Sequence, residues 1–117
     1  ILKKGTGTLI FSGVNTYFGL TDVENGIFIN RGLIPGNTLV QQLGTLLFSG
    51  TSTVGYVQNN GNVTPESISE TLHVGGDFTQ SSTGTTTVII DNALNNSLID
   101  VDGTATLSGT LAVQGPV

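Results

Sequence analysis

The chain has 117 residues, of which 17 are glycine and 9% are charged, whereas an ordinary soluble domain carries about 25% charged residues. Its net charge of −5 with only three Lys or Arg residues excludes the clustered cations that nucleic-acid binding needs. Valine, isoleucine and threonine together supply 38 residues, which favours strands over helices. The composition therefore predicts a single all-β domain.

Thiol chemistry is excluded as well, because the chain contains no cysteine. Neither a disulfide framework nor a thiolate metal site can form. The apolar fraction of 37% is enough for a hydrophobic core and differs from the composition of disordered chains. The sequence starts at Ile1 without a leader-like segment, so we expect it to be a piece of a longer protein.

Short apolar or β-branched runs separated by Gly and Asn recur along the chain and predict strands of about five residues joined by tight turns. Asn25-Gly26 and Asn60-Gly61 are strong turn signals. Thr64-Pro65-Glu66 predicts a loop with at most one helical turn. In chain order, the predicted strands are 8–12, 26–30, 38–42, 45–49, 53–58, 71–74, 77–80, 86–91, 97–101, 104–107 and 110–113.

The pattern G-T-x-x-x-S-G occurs three times, as GTLIFSG from Gly7, GTLLFSG from Gly44 and GTATLSG from Gly103. These starts are 37 and then 59 residues apart, which two and three units of about 19 residues would explain. Repeats of this length are typical of solenoids, in which each coil pairs its strands with the next coil about 4.8 Å away. The spacing therefore predicts a parallel β-solenoid of about six coils.

The repeats also predict which side chains form the interior. Phe11, Phe48 and Leu107 hold the same place in the motif, and Leu9 and Leu46 stand two residues before the phenylalanines on the same face of a strand. Apolar positions of the other strands extend these ladders. The predicted structural core consists of Leu9, Phe11, Leu46, Phe48, Phe78, Val88, Ile90, Leu107 and Leu111.

Three stretches of the chain resemble a known family. Residues 5–26 (GTGTLIFSGVNTYFGLTDVENG) resemble the passenger-associated repeat of bacterial autotransporters, which reads G-x-G-x-L-x-x-x-G-x-N-x-Y-x-G followed by a strand and an N-G turn. Residues 71–80 (TLHVGGDFTQ) and 103–113 (GTATLSGTLAV) resemble segments from the C-terminal end of such passengers. The three stretches follow one another in the order that the family has.

This resemblance implies a right-handed parallel β-helix of bacterial origin, exported through the periplasm and outer membrane to the cell surface or the medium. It implies one β-helical segment of a larger passenger, with passenger-associated repeat coils in residues 1–60 and autochaperone-like coils in residues 61–117. The implied partners are the rest of the passenger and an outer-membrane β-barrel translocator.

Residues that could support catalysis or metal binding are sparse. His73 is the only histidine, no nucleophile elbow accompanies it, and alternation along residues 71–74 predicts that it faces solvent. Asp100 and Asp102 are expected to share one face of a strand without a cation beside them, which disfavours lyase chemistry. Gly75-Gly76-Asp77 does not continue as a calcium-binding repeat. We therefore expect no catalytic residue, no cofactor and no metal.

Two functions are favoured by the sequence, and a third, an enzyme, would require an activity that Asp100→Asn or His73→Ala abolishes. The first is a structural stalk that presents distal parts of the passenger and nucleates its folding. The alternative is an adhesin or virulence-factor module that contacts host cell-surface glycans or receptors, for which Tyr17 and Tyr56 are the candidate binding aromatics. Unpaired strand edges at the ends of such a fragment would also favour end-to-end self-association.

Overall fold

The computed structural model describes residues 1–91 and 95–115, and every regular element within them is a β-strand. Thirteen strands form one sheet, and the paired strands are parallel. No helix in these two ranges could cross a membrane. The predicted all-β parallel solenoid is confirmed. The strands are β1 (Leu2–Lys3), β2 (Thr8–Val14), β3 (Thr21–Leu33), β4 (Thr38–Phe48), β5 (Thr51–Val54), β6 (Val57–Asn59), β7 (Asn62–Pro65), β8 (Thr71–Val74), β9 (Phe78–Gln80), β10 (Thr85–Ile89), β11 (Leu98–Val101), β12 (Ala105–Leu107) and β13 (Thr110–Gln114).

The strands stack into three faces, because each strand pairs with the strand one turn further along the chain. The first face stacks β1, the N-terminal parts of β3 and β4, and then β6, β9 and β12. The second face stacks β2, the C-terminal parts of β3 and β4, and then β7, β10 and β13. The third face stacks the end of β3 with β5, β8 and β11. The described residues complete about four turns, with a partial coil at either end.

The number of complete turns is smaller than the six predicted, because the length of a turn is not constant. Thr45 pairs with Asn62, 17 residues later, whereas Thr71 pairs with Leu98, 27 residues later. The C-terminal coils carry longer connections between their strands. A uniform period of about 19 residues therefore describes only the N-terminal half.

Only two of the three motif copies are structurally equivalent. Residues 7–13 and 44–50 overlap β2 and β4 on the second face, two turns apart, since both strands pair with β3. Residues 103–109 contain β12, which pairs with β9 on the first face. Leu107 therefore stands in a different column from Phe11 and Phe48, contrary to the motif-based prediction. The third match reflects a composition rich in Gly, Thr and Ser.

The segment predicted as a loop around Pro65 is a strand as far as Pro65, and residues 66–70 after it form a loop of bends and a turn, as predicted. Residues 62–65 form β7, which pairs with β4 and touches β10. Pro65 is its last residue, and the amide of Glu66 donates to the carbonyl oxygen of Phe48. A proline fits at this strand end because its missing N–H is not needed by the ladder.

Two columns of glycines mark the corners of the coil. A Cβ added to Gly44 would lie 2.2 Å from the carbonyl oxygen of Val23 in the preceding coil, so only glycine allows this close approach. The glycines that directly precede the second-face strands stack in one column. The glycines that stand two residues before the first-face strands stack in another. The columns are Gly7, Gly26, Gly44, Gly61, Gly84 and Gly109, and Gly19, Gly36, Gly55, Gly76 and Gly103.

The interior is built from side chains that stack in register, coil upon coil. One column of six residues runs along the second face. Its central apolar members are fully buried, whereas its last member is 58% exposed. At its C-terminal end, therefore, no described residue covers this column. Its members are Leu9, Phe28, Leu46, Val63, Thr86 and Leu111.

Five residues of the predicted core lie in this interior or against it. Leu46, Phe48 and Phe78 are buried. Leu9 and Phe11 are partly buried and pack against the buried cluster. Leu46, Phe48 and Phe78 lie on strands that are paired on both sides, whereas Leu9 and Phe11 lie on β2, which pairs only with β3.

The remaining members of the predicted core lie near the C-terminal end and are less buried. Val88 is half-buried, and Ile90, Leu107 and Leu111 are 46, 59 and 58% exposed. The expectation of burial fails for Leu107 and Leu111 because no described strand stacks on the outer side of β12 and β13. It also fails for Ile90, which directly follows β10 and whose amide donates to the carbonyl oxygen of Gln114. The side chains of these three residues line a cavity at the end of the solenoid.

Candidate functional site

The C-terminal end of the solenoid opens into an apolar cavity of about 730 Å³. Inward side chains of the last two coils form its walls and continue the interior columns. A large, continuous apolar surface that is exposed in this way usually marks a site of interaction with another molecule or segment. The apolar side chains that line it include Phe78, Val88, Ile99, Val101, Leu107 and Leu111.

Tyr17, one of the two predicted binding aromatics, is held in the fold by its neighbours. Its hydroxyl lies 2.6 Å from the hydroxyl of Thr21. Its ring meets that of Phe11 edge to face, with centroids 6.0 Å apart. Phe11 in turn packs on the buried Phe28 at a centroid distance of 5.8 Å. Through these contacts Tyr17 helps to pack the first coil.

Tyr56, the other predicted binding aromatic, is 55% exposed. It lies at a corner where the chain enters the first face, directly after a glycine of the second column. The residue after each corner residue donates its amide to the carbonyl oxygen of the corner residue in the next coil, as from Thr38 N to Tyr56 O and from Val57 N to Asp77 O. We call the column of stacked corner residues the corner ladder; it consists of Leu20, Asn37, Tyr56, Asp77 and Thr104.

A groove of about 390 Å³ lies along the corner ladder. Corner residues form one side of it, and side chains of the first-face strands form the other. Its lining combines one exposed aromatic ring and the side chains of Leu20 and Leu39 with amide, carboxylate and hydroxyl groups. The side chains that define it are Leu20, Asn37, Tyr56, Gln58, Asp77 and Thr79.

His73 and two aspartates meet on the outside of the third face. Asp102 Oδ2 lies 2.9 Å from His73 Nε2, and Asp100 pairs in register with His73. The hydrogen bond with Asp102 raises the pKa of His73, and the negative charges of Asp102 and Asp100 act in the same direction against partial desolvation. The outward histidine and the shared face of the aspartates were expected, but not their meeting, which depends on a 27-residue turn.

This cluster combines one imidazole with two carboxylates. Ligand atoms of His73, Asp100 and Asp102 lie within 4.8 Å of one another. The two carboxylates are exposed, and the histidine–carboxylate hydrogen bond already accounts for the contact between two of the three groups. Within residues 1–91 and 95–115, no Ser or Thr hydroxyl is hydrogen-bonded to His73.

A second charged contact joins distant coils of the second face. Arg31 Nη2 donates to Glu66 Oε1 at 2.8 Å. This hydrogen bond, together with one from Ser49, lowers the pKa of the Glu66 carboxyl. Both side chains remain partly exposed, so the pair orients the connection after β7 more than it stabilises the fold.

Sequence reasoning identified Tyr56 but missed the rest of the groove. The available signal was a glycine followed by one variable residue just before a strand, as in Gly36-Asn37, Gly55-Tyr56 and Gly76-Asp77. The glycines are 19 and 21 residues apart, and the next, Gly103, follows after 27. A search for a constant period does not align them.

Comparison with known proteins gives a consistent result. The sequence model of the passenger-associated-transport-repeat family matches residues 1–28. The chain is 31% identical over 116 residues to the Neisserial autotransporter lipoprotein NalP of Neisseria meningitidis, an alignment that covers 95% of this chain and 10% of NalP. It is 40% identical over 76 residues to an extracellular serine protease of Serratia marcescens, covering 63% of this chain and 7% of the protease.

The chain thus spans about a tenth or less of the length of these relatives. The comparison with solved structures gives no significant match. The resemblance seen in residues 5–26 and the family match cover the same part of the chain. The match to NalP extends it over nearly the whole sequence.

Proposed function

We propose, on the premise that this chain is an autotransporter passenger region, that it serves as a structural stalk presenting more distal parts of the passenger at the bacterial surface. Autotransporter passengers are surface-exposed or secreted by way of the outer membrane. Membership of this family implies association with the passenger's own outer-membrane translocator. The name of one relative describes it as a serine protease. We do not assign proteolysis to this chain.

The uncovered interior at the C-terminal end carries the proposal. Leu107 and Leu111 point into a cavity that continues the buried columns, and β12 and β13 present strand edges there. A further solenoid coil of the same passenger would cover the cavity and pair with these edges at once. A coil stack that joins other coils in this way acts as a rod.

We also propose that residues 61–117 nucleate folding of the passenger. In a stacked solenoid each coil is stabilised mainly by its neighbour, so a formed coil lowers the cost of forming the next one. Side chains connect these coils directly: Gln80 Nε2 donates to the carbonyl oxygens of Ser108 and Thr110 at 2.6 and 3.0 Å. Coils linked by such hydrogen bonds can act as a template for those that follow.

The test compares Leu107→Asp in the 117-residue chain and in the full-length passenger. In the short chain Leu107 is 59% exposed, so we expect a small change in the unfolding midpoint. In the full-length protein a covering coil would bury the introduced carboxylate, which is costly, and protease-resistant passenger at the cell surface should fall about tenfold or more.

Two further variants complete this experiment. Phe78→Asp replaces a residue that is 2% exposed, so it should impair folding in both settings. Leu43→Asp alters a side chain that is 73% exposed and should leave both proteins unchanged. Equal, small effects of Leu107→Asp in both settings would contradict the stacking of a further coil, and normal surface folding of Phe78→Asp would contradict nucleation.

A further inference from the structure

In the corner ladder the side chains of Asn37 and Asp77 cap the backbone of the next coil, whereas those of Leu20 and Tyr56 do not. Asn37 Oδ1 accepts a hydrogen bond from the amide of Tyr56 at 3.1 Å, and Asp77 Oδ1 accepts one from the amide of Thr104 at 2.8 Å. In both cases a short polar side chain caps the backbone of the next coil. Tyr56 stands between these two caps, and its side chain cannot perform the same role for the amide of Asp77.

The fold nevertheless accommodates the tyrosine ring. A Cβ at Gly76 would lie 1.7 Å from Cδ1 and 1.8 Å from Cε1 of Tyr56, so one edge of the ring occupies the space that a side chain at Gly76 would need. Tyr56 as a whole remains 55% exposed. An asparagine at position 56 would supply the same cap and expose less apolar surface. Departures of this kind from local consistency concentrate at functional positions.

The polar groups around the ring have hydrogen-bonding capacity to spare. Gln58 Nε2 donates to Asn60 Oδ1, which leaves its Oε1 as an acceptor. Asn37 and Asp77 each use one side-chain oxygen on the ladder, which leaves the Asn37 amide group as a donor and the second Asp77 oxygen as an acceptor. The hydroxyl of Thr79 adds a group that can do either. Donors and acceptors therefore flank the exposed aromatic ring on the same groove.

We propose that this groove binds a neutral saccharide, with the Tyr56 ring against the C–H groups of a sugar and the flanking side chains on its hydroxyls. The electron-rich face of an aromatic ring suits polarised C–H groups, and mixed donors and acceptors suit hydroxyls. A volume of about 390 Å³ falls within the ~300–1,000 Å³ range of small-molecule sites. This site would act in addition to the stalk role and does not depend on it.

The charge of the groove selects against acidic sugars. Asp77 contributes a carboxylate to the lining, and none of the chain's three cations, Lys3, Lys4 and Arg31, lines the groove. A carboxylate or sulfate on the ligand would therefore meet repulsion without a compensating ion pair. The absence of a nearby cation distinguishes this proposal from recognition of a sialylated or sulfated glycan.

The experiment is a titration of the ¹⁵N-labelled 117-residue chain with cellotriose, maltotriose and chitotriose, followed by amide chemical shifts. We expect at least one trisaccharide to shift amides along the corner ladder, with a dissociation constant on the order of 1 mM. The acidic probe 3′-sialyllactose should cause no such shifts. No shift at the ladder with any of the three neutral probes, or stronger binding of sialyllactose there, would overturn the proposal.

The decisive variant is Tyr56→Asn, which removes the ring and supplies the missing cap for the amide of Asp77. It should weaken saccharide binding by about tenfold or more without lowering the unfolding midpoint. Tyr56→Leu keeps apolar bulk without an aromatic face and should lose binding as well, so the test stands if the asparagine variant fails to fold. Leu43→Asn, the same kind of change at an exposed leucine outside the groove, should bind normally. Unaltered binding by both Tyr56 variants would refute the assignment.

Discussion

The two halves of the solenoid follow the same register but close their interiors to different degrees. Leu46 and Leu111 stand in one column of the second face, yet Leu46 is 0% exposed and Leu111 is 58% exposed. The residue type and the column are the same, so the difference comes from the stacking neighbour. Whether a side chain is buried in a solenoid thus depends on whether another coil covers it, and not on the residue type alone.

Truncating each of these two leucines to alanine tests most directly whether the covering coil determines their contribution to stability. Leu46→Ala should lower the free energy of unfolding by about 2–5 kcal/mol, because it leaves a cavity in a fully packed site. Leu111→Ala should cost about 1 kcal/mol or less, since most of that side chain is already in water. Urea unfolding of the 117-residue chain measures both. Equal losses would show that the last coil is covered in solution, for example by a second copy of the chain.

The junction of the two halves depends on a buried amide. Asn59 Nδ2 donates to Gln80 Oε1 and to the carbonyl oxygen of Thr85, both at 3.0 Å, and its Oδ1 accepts from the amide of Gly61. Asn59→Ala removes this partner from the carbonyl oxygen of Thr85 and the amide of Gly61, whereas Gln80 Oε1 keeps its hydrogen bond from the hydroxyl of Thr86. We expect a loss of about 2–3 kcal/mol in the free energy of unfolding.

The matched control for this junction is the neighbouring Gln58→Ala. Gln58 faces outward on the same strand and hydrogen-bonds to the half-buried Asn60, so its truncation should change stability by about 0.5 kcal/mol or less. If both variants lose the same amount, the buried amide has no special part in joining the coils.

The glycine columns allow a smaller test of how closely coils approach. In Gly44→Ala the new methyl group would meet the carbonyl oxygen of Val23 at 2.2 Å, whereas in Gly75→Ala the nearest atom, the carbonyl oxygen of Val54, lies at 3.5 Å. Gly44→Ala should therefore cost about 1–3 kcal/mol through overpacking. Gly75→Ala should be neutral or slightly stabilising, since it restricts the unfolded chain. Thermal unfolding of the two variants distinguishes close stacking from a loose corner.

The same contrast explains what the sequence could predict. Leu9 and Leu46 were assigned to one face, and they do share a column, because the N-terminal turns keep a nearly constant length. Leu107 was placed with Phe11 and Phe48 by a motif, but longer turns move it to another face. Sequence periodicity detects coils only while their lengths stay similar.

For the same reason, contacts between long coils cannot be predicted from one sequence. His73 meets Asp102 because β11 lies directly on β8, and nothing local to either residue predicts that register. The groove beside Tyr56 likewise joins residues of four coils at the corner. A residue's type and its alternation within one strand were predictable, whereas its neighbour on the next coil depends on the length of every connection between them.

The smallest expected effect concerns pH and separates two ion pairs. Asp102 holds the pKa of His73 above its ordinary value of about 6.5, so the stabilisation by this pair is fully present below pH about 6.5 and is lost as pH rises through the folded-state pKa. Arg31 lowers the pKa of Glu66, so that pair contributes above the ordinary carboxyl pKa and is lost in acid. The unfolding midpoint should fall slightly as the pH rises above about 6.5, and His73→Gln should abolish this slope without changing the loss of stability in acid. A slope that survives in His73→Gln would show that the contact between β8 and the end of β11 does not depend on the histidine charge.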